Sequence, residues 1–161
     1  MKRILLLSDL HFGSKYAPWP EGMEEEDSRG MVNQIPVNAV NAAINAHWKK
    51  MIAYIRKTPP DVVIFNGDLI EGDQRKEKGR GLMTGQIFTQ YRACIKGIDQ
   101  IRKAAPKAAF YFTAGTDYHQ LPHGTNADQQ IARHFNAEYG TRWLWKSAGS
   151  GCSAGILSAR A

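Results

Sequence analysis

The chain has 161 residues, 43% hydrophobic and 22% charged, with a formal net charge of +6 from 21 Lys and Arg against 15 Asp and Glu. That is an ordinary globular composition, long enough for one domain with its own core, and it argues against a disordered, fibrous or membrane-spanning chain. The basic excess suits anionic partners such as phosphate esters or nucleic acid, and two cysteines, Cys94 and Cys152, without metal-site spacing argue against a disulfide framework and point to a reducing cytoplasm.

The apolar run Ile4 to Leu7 is too short for a signal peptide, and Asp9 and His11 interrupt it. It reads as a buried strand opening at its C-terminal end into a loop that carries Asp9 and His11. In extended backbone, residues i and i+2 face the same way, so the two side chains converge. A carboxylate with a neutral imidazole suits Mn, Fe or Zn better than Ca or Mg. The alternative is that Asp9 merely caps the following turn. Ser14 to Gln34 reads as a long structureless loop, functional or mobile, with Glu24-Glu25-Glu26-Asp27 as a solvated face. Tyr16 and Trp19 in it suit either a cleft lining or packing.

Pro36 opens the first predicted helix. Val37, Val40, Ile44, Trp48, Met51 and Ile55 form its apolar stripe, His47 beside them reads as structural, and Thr58-Pro59-Pro60 stops it. A second strand, Val62 to Phe65, ends in Gly67-Asp68. The segment Asp68 to Gly85 holds Glu71, Asp73 and the one dense basic cluster, Arg75-Lys76-Glu77-Lys78-Gly79-Arg80. Either it closes over a phosphate-bearing substrate held by Arg75, Lys76 and Arg80, or it is a solvated surface loop.

The second helix spans Gln86 to Ala105, with Ile87, Tyr91, Cys94, Ile95, Ile98 and Ile101 on its buried stripe; Cys94 is a small core residue and Pro106 ends the helix. A third strand, Ala108 to Thr113, leads into Gly115-Thr116-Asp117-Tyr118-His119, with His123 on the same loop. Asn126 or Asp128 caps a third helix carrying Ile131, Ala132 and Phe135 on one face, with His134 an ordinary surface or partly packed residue. Trp143-Leu144-Trp145-Lys146 reads as part of a fourth strand. Residues 147–161 form a small-residue tail without periodicity, expected to be loosely ordered beside a domain of residues 1–146.

The order β-α-β-α-β-α predicts an α/β fold, a parallel-type open sheet flanked by helices. Three strands ending in acid and imidazole groups place a site at the C-terminal edge of that sheet. No Gly-x-Gly-x-x-Gly or phosphate-loop Lys follows the first strand, which argues against a nucleotide-binding domain.

Asp9-x-His11, Gly67-Asp68 and Gly115-Thr116-x-x-His119, in that order, resemble the calcineurin-like metallophosphoesterase family over roughly residues 2 to 135. Ser8-Asp9-Leu10-His11-Phe12-Gly13 and Gly67-Asp68-Leu69-Ile70-Glu71-Gly72 look closest to the branch found among phage-associated phosphoesterases. The resemblance implies the N-terminal part of a four-layer sandwich and a metal-dependent phosphatase or phosphodiesterase. Such an enzyme hydrolyses phosphate mono- or diesters with a water activated by one or two divalent ions, Mn, Fe or Zn. It implies that Asp9 and His11 bind the first metal and that Asp68 bridges. For the family's Asn ligand it leaves two alternatives, that Asp117 substitutes as a metal ligand or that the second site is weaker, and it implies that His119, with Asp117, is the catalytic group that donates to the leaving group or the phosphate.

Two departures stand out. Thr116 occupies the register of the Asn ligand, and no His follows His134, where the family carries a later Gly-His-x-His motif. The chain thus reads as the front half of the fold with an atypical end, as expected of a sequence truncated or frame-shifted near Trp145. The competing reading is a degenerate, catalytically weak or inactive module that binds nucleic acid or a protein partner through its basic excess. A sheet short of its later strands exposes an edge and apolar surface, a setting for a homodimer.

Overall fold

The structure, a computed structural model, describes residues 2–73, 79–116 and 126–140. In chain order these form β1 (Ile4–Leu7), β2 (Met23–Glu26), β3 (Val32–Ile35), α1 (Ala39–Lys57), β4 (Val62–Asn66), α2 (Ile87–Ala104), β5 (Ala109–Thr113), α3 (Ala127–His134) and β6 (Glu138–Gly140). β1, β4, β5 and β6 make one parallel sheet in that spatial order, and β2 pairs antiparallel with β3 in a separate hairpin. The chain is therefore α/β, with α1, α2 and α3 as the crossovers. Because spatial order follows chain order, right-handed crossovers lay all three helices on one face.

The register divides the sheet into two faces. Leu5, Leu7, Val63, Phe65, Phe110, Phe112 and Tyr139 alternate onto the helix-covered side. There Phe65 stacks on Phe112 with ring centroids 4.6 Å apart, and Phe112 stacks in turn on Phe135 at 6.2 Å. Val63, Ile98, Ile101 and Ile131 are fully buried around them, each contributing about 1.5–3 kcal/mol of burial. The opposite face carries Ile4, Leu6, Ile64 and Tyr111. β1 is consequently not the buried strand its composition predicts: Ile4 is 50% and Leu6 61% exposed, because the described helices cover one side only.

The expected structureless loop contains the β2–β3 hairpin instead. Met23 and Ile35 stand opposite each other and are both buried, so alternation turns Glu24 and Glu26 outward. At its tip the Asp27 carboxylate accepts from the backbone N–H of Arg29 at 2.9 Å and of Met31 at 3.0 Å. Trp19 is fully buried, its backbone N–H and C=O both held by the Asn45 amide, whereas Tyr16 is 71% exposed.

Helix starts also differ from expectation. α1 begins after Asn38, whose side chain accepts from Asn41 N at 2.8 Å; Pro36 lies outside the helix because the Asn38 cap fixes its start. Its buried stripe contains Ile52 and Asn41, while Val40 is exposed. Rotation brings the Asn41 amide onto the carbonyls of Ser14, Lys15 and Ala17, which no apolar residue could satisfy. His47 is exposed, with Nδ1 3.0 Å from Ala43 O, in keeping with a structural role. Asn126, not Asp128, caps α3. The fourth strand is β6, directly after α3; the expected one at Trp143 to Lys146 and the 147–161 tail lie outside the described residues. Among the described residues, no helix is long and apolar enough to cross a membrane.

Candidate metal centre

The pairing of β1 with β4 continues past both strand ends. Asp9 N donates to Gly67 O (3.3 Å), His11 N to Asp68 O (3.0 Å), Phe12 N to Leu69 O (2.8 Å), and Glu71 N back to Phe12 O (3.0 Å). Two loops therefore run side by side, and their ligand-type side chains meet. One ligand atom each from Asp9, His11 and Asp68 lie within 4.8 Å of one another. A cation with ligand bonds of about 2.0–2.2 Å spans about 4 Å between opposite ligands, so small side-chain adjustments close the set around one ion. Two carboxylates and an imidazole fit a borderline divalent metal.

The convergence does not come from the extended alternation the sequence suggests. Asp9, His11 and Asp68 have φ of 55°, 46° and 52°, the left-handed region that non-glycine residues seldom occupy. Such backbone costs on the order of 1–3 kcal/mol per residue and persists only where its surroundings impose it. Here the cross-loop hydrogen bonds do so. Among the described residues, three of the four non-glycine residues in this region are the three candidate ligands; there the strain is concentrated at the centre.

Asp68 is buried, and its Oδ1 accepts from Thr116 N at 2.6 Å and Thr116 Oγ1 at 2.9 Å. Thr116, in the register where the resemblance implies an Asn ligand, thus orients the Asp68 carboxylate. Asp128 is the second organiser. Its buried carboxylate accepts from Leu69 N at 3.1 Å through Oδ1 and from Gly115 N at 2.8 Å through Oδ2, tying the loop after β4 to the loop after β5. Burial pushes the Asp128 carboxyl above its ordinary range; the two N–H donors work against that, and the nearby Asp68 charge adds to it.

His11 lies between carboxylates. Its Nδ1 is 3.0 Å from Glu71 Oε2, and its Nε2 is 3.9 Å from Asp9 Oδ1. The Glu71 carboxylate beside Nδ1 raises the imidazole above its ordinary value; burial lowers it by less, and the charges of Asp68 and Asp9 raise it further. Asp9 is exposed and accepts from the Ser8 hydroxyl.

Of the residues expected at the site, the structure brings Asp9, His11 and Asp68 together. Asp117, His119, His123, Arg75 and Lys76 lie outside the described residues. Arg80 is exposed, and its carbonyl accepts from Lys15 Nζ at 2.8 Å. Sequence reasoning gave Glu71 no partner and gave Asp128 a capping role. Glu71 sits three residues beyond Asp68, but its approach to His11 depends on the inter-loop register; Asp128 needs both loop ends in place. The chain matches no protein-family model and no curated protein.

Proposed function

We propose that this chain is a metal-dependent phosphoesterase of the calcineurin-like kind, acting on phosphate mono- or diesters. The observation that carries this reading is the convergence of Asp9, His11 and Asp68 at the C-terminal edge of a parallel sheet, on strained backbone. Open α/β sheets bind their ligands at that edge. A divalent cation of the Mn, Fe or Zn class, when bound, supplies acidification of a water and neutralisation of charge on the phosphoryl group.

The chain's own residues do the rest. Asp68, locked by Thr116, and Asp9 provide the anionic ligands; His11 provides the neutral one. His119, with Asp117, protonates the leaving group. Arg75, Lys76 and Arg80 supply cationic contacts for the phosphate.

The test is metal loading and turnover on the full chain. Elemental analysis after Mn²⁺ loading should find at least one ion per chain. Hydrolysis of p-nitrophenyl phosphate or bis(p-nitrophenyl) phosphate should be lost with chelator and with Asp68→Ala. Turnover that survives both, or a chain that takes up no metal, overturns the reading. Bound metal without turnover on either ester favours the degenerate binding module instead.

A further inference from the structure

We propose that Glu71 is the positioning residue of the metal centre: its carboxylate holds the neutral His11 ring with its proton on Nδ1, as the acceptor facing that N–H, and so presents Nε2, as a lone pair, to the cation. The proposal rests on the metal reading above and adds to it a residue that the motif comparison does not assign.

The geometry has three parts. First, the two ring nitrogens face different groups. Nδ1 meets Glu71 Oε2 at 3.0 Å, and Nε2 lies on the Asp9 side, 3.9 Å from Oδ1. A neutral imidazole carries one proton, so a carboxylate at Nδ1 selects the tautomer in which Nε2 is the acceptor. A histidine side chain without such a partner favours the opposite tautomer, with the ligand atom blocked by its own proton. Second, the Glu71 carboxylate is sheltered, with its side chain 15% exposed, and Nδ1 itself is buried, so water competes weakly for the contact between them.

Third, Glu71 is held from both sides. Its own N–H donates to Phe12 O at 3.0 Å. The next residue, Gly72, is gripped by the Gln90 amide. Gly72 N donates to Gln90 Oε1 at 2.9 Å, and Gln90 Nε2 donates to Gly72 O at 3.1 Å and to Thr84 O at 3.0 Å. Gln90 is fully buried on α2. A chain of contacts thus runs from a core helix through Gly72 and Glu71 to a single imidazole nitrogen. Carboxylates behind metal-binding histidines fix ring orientation and basicity, and their loss typically weakens metal binding about 10–100-fold.

The experiment reads the tautomer and the affinity separately. Long-range ¹H–¹⁵N NMR on the metal-free chain at alkaline pH, where the ring is neutral, should show His11 protonated at Nδ1, with the signal assigned by its loss in His11→Gln. Glu71→Ala should shift the proton toward Nε2, and Glu71→Gln, which keeps an acceptor, should retain more of the Nδ1–H form. Calorimetric titration with Mn²⁺ should show about 10–100-fold weaker binding for Glu71→Ala, an intermediate loss for Glu71→Gln and the largest loss for Asp68→Ala. A wild-type His11 protonated at Nε2 overturns the proposal without any variant, which covers the case of a Glu71→Ala chain that does not fold. Unchanged tautomer with unchanged Mn²⁺ affinity in Glu71→Ala overturns it as well. If wild type shows Nδ1–H but takes up no Mn²⁺, the metal reading fails and the role of Glu71 toward a cation fails with it. If Asp68→Ala abolishes binding while Glu71→Ala does not weaken it, the metal reading stands and only this proposal falls.

Discussion

Gly67 and Gly115 meet backbone to backbone where β4 and β5 end. A methyl group on Gly67 would stand 2.5 Å from Gly115 Cα and 2.6 Å from its nitrogen, and one on Gly115 would collide with Asp68 Oδ1. This close approach lets the Thr116 donors reach the Asp68 carboxylate. Gly67 also has φ of 71°, where an L side chain is strained. Gly67→Ala should therefore destabilise the fold by about 2–4 kcal/mol, combining overpacking with backbone strain. Urea denaturation measures the loss; a change below about 0.5 kcal/mol, the range of an ordinary surface substitution, would show that the two loops separate easily.

Asp128 satisfies two buried N–H groups on different loops, Leu69 and Gly115. Asp128→Ala leaves both without their acceptor, at about 1–3 kcal/mol each. Asp128→Asn keeps one acceptor oxygen and should lose roughly half as much. Thermal melting should rank wild type above Asn and Asn above Ala. Equal melting temperatures for the two variants would mean that only one of the two bonds contributes.

The hairpin tip should be sensitive to acid. Hydrogen bonds from Met31 N and then Arg29 N hold the Asp27 carboxyl below its ordinary 3.8, with the Arg29 guanidinium adding to them. A lowered carboxyl favours folding above the unfolded value, and that contribution is lost as pH falls through the folded value. The Arg29 and Met31 amide resonances should hold their positions down to pH near 3.8 and move below it. In Asp27→Ala they should show no such titration. Movement of those resonances already at neutral pH would contradict the assignment to Asp27.

Cys94 should be chemically silent in the folded chain. It is fully buried on α2, and burial, with the Asp128 charge adding to it, pushes its thiol well above the usual range. Maleimide treatment followed by peptide mass spectrometry should find Cys94 unmodified at neutral pH and fully modified in denaturant. Rapid labelling without denaturant would show that α2 separates from the sheet.

The elements that could be read from the sequence are those whose signal is local. Apolar runs bounded by Pro and Gly gave β1, β4 and β5 and both long helices, and their alternation gave the parallel order. Asp9, His11 and Asp68 stood out because each follows directly on such a run. Features that depend on register could not be read in this way. The β2–β3 hairpin was hidden because its two anchors, Met23 and Ile35, are separated by a polar, acidic stretch. Val40 was placed on the apolar stripe but is exposed, and the neighbouring Asn41 is buried in its stead, because hydropathy does not show that three loop carbonyls need an amide donor there. Glu71 and Asp128 act across the gap between loops, and a carboxylate in a loop looks the same in sequence whether it faces water or an imidazole.

The hydrogen bonds that carry β1 and β4 beyond their strand ends bear on the kinetics of the centre. The amides of His11, Phe12 and Glu71 lie outside the regular strands, yet each donates to a carbonyl across the pair. Their exchange with deuterated solvent should be as slow as that of the sheet interior, since breaking them requires the two segments to part. The Ser28 amide at the exposed hairpin tip should exchange far sooner. Slow exchange at these three amides would mean that the centre opens only when β1 parts from β4, so that its geometry outlasts local fluctuations of the surrounding loops.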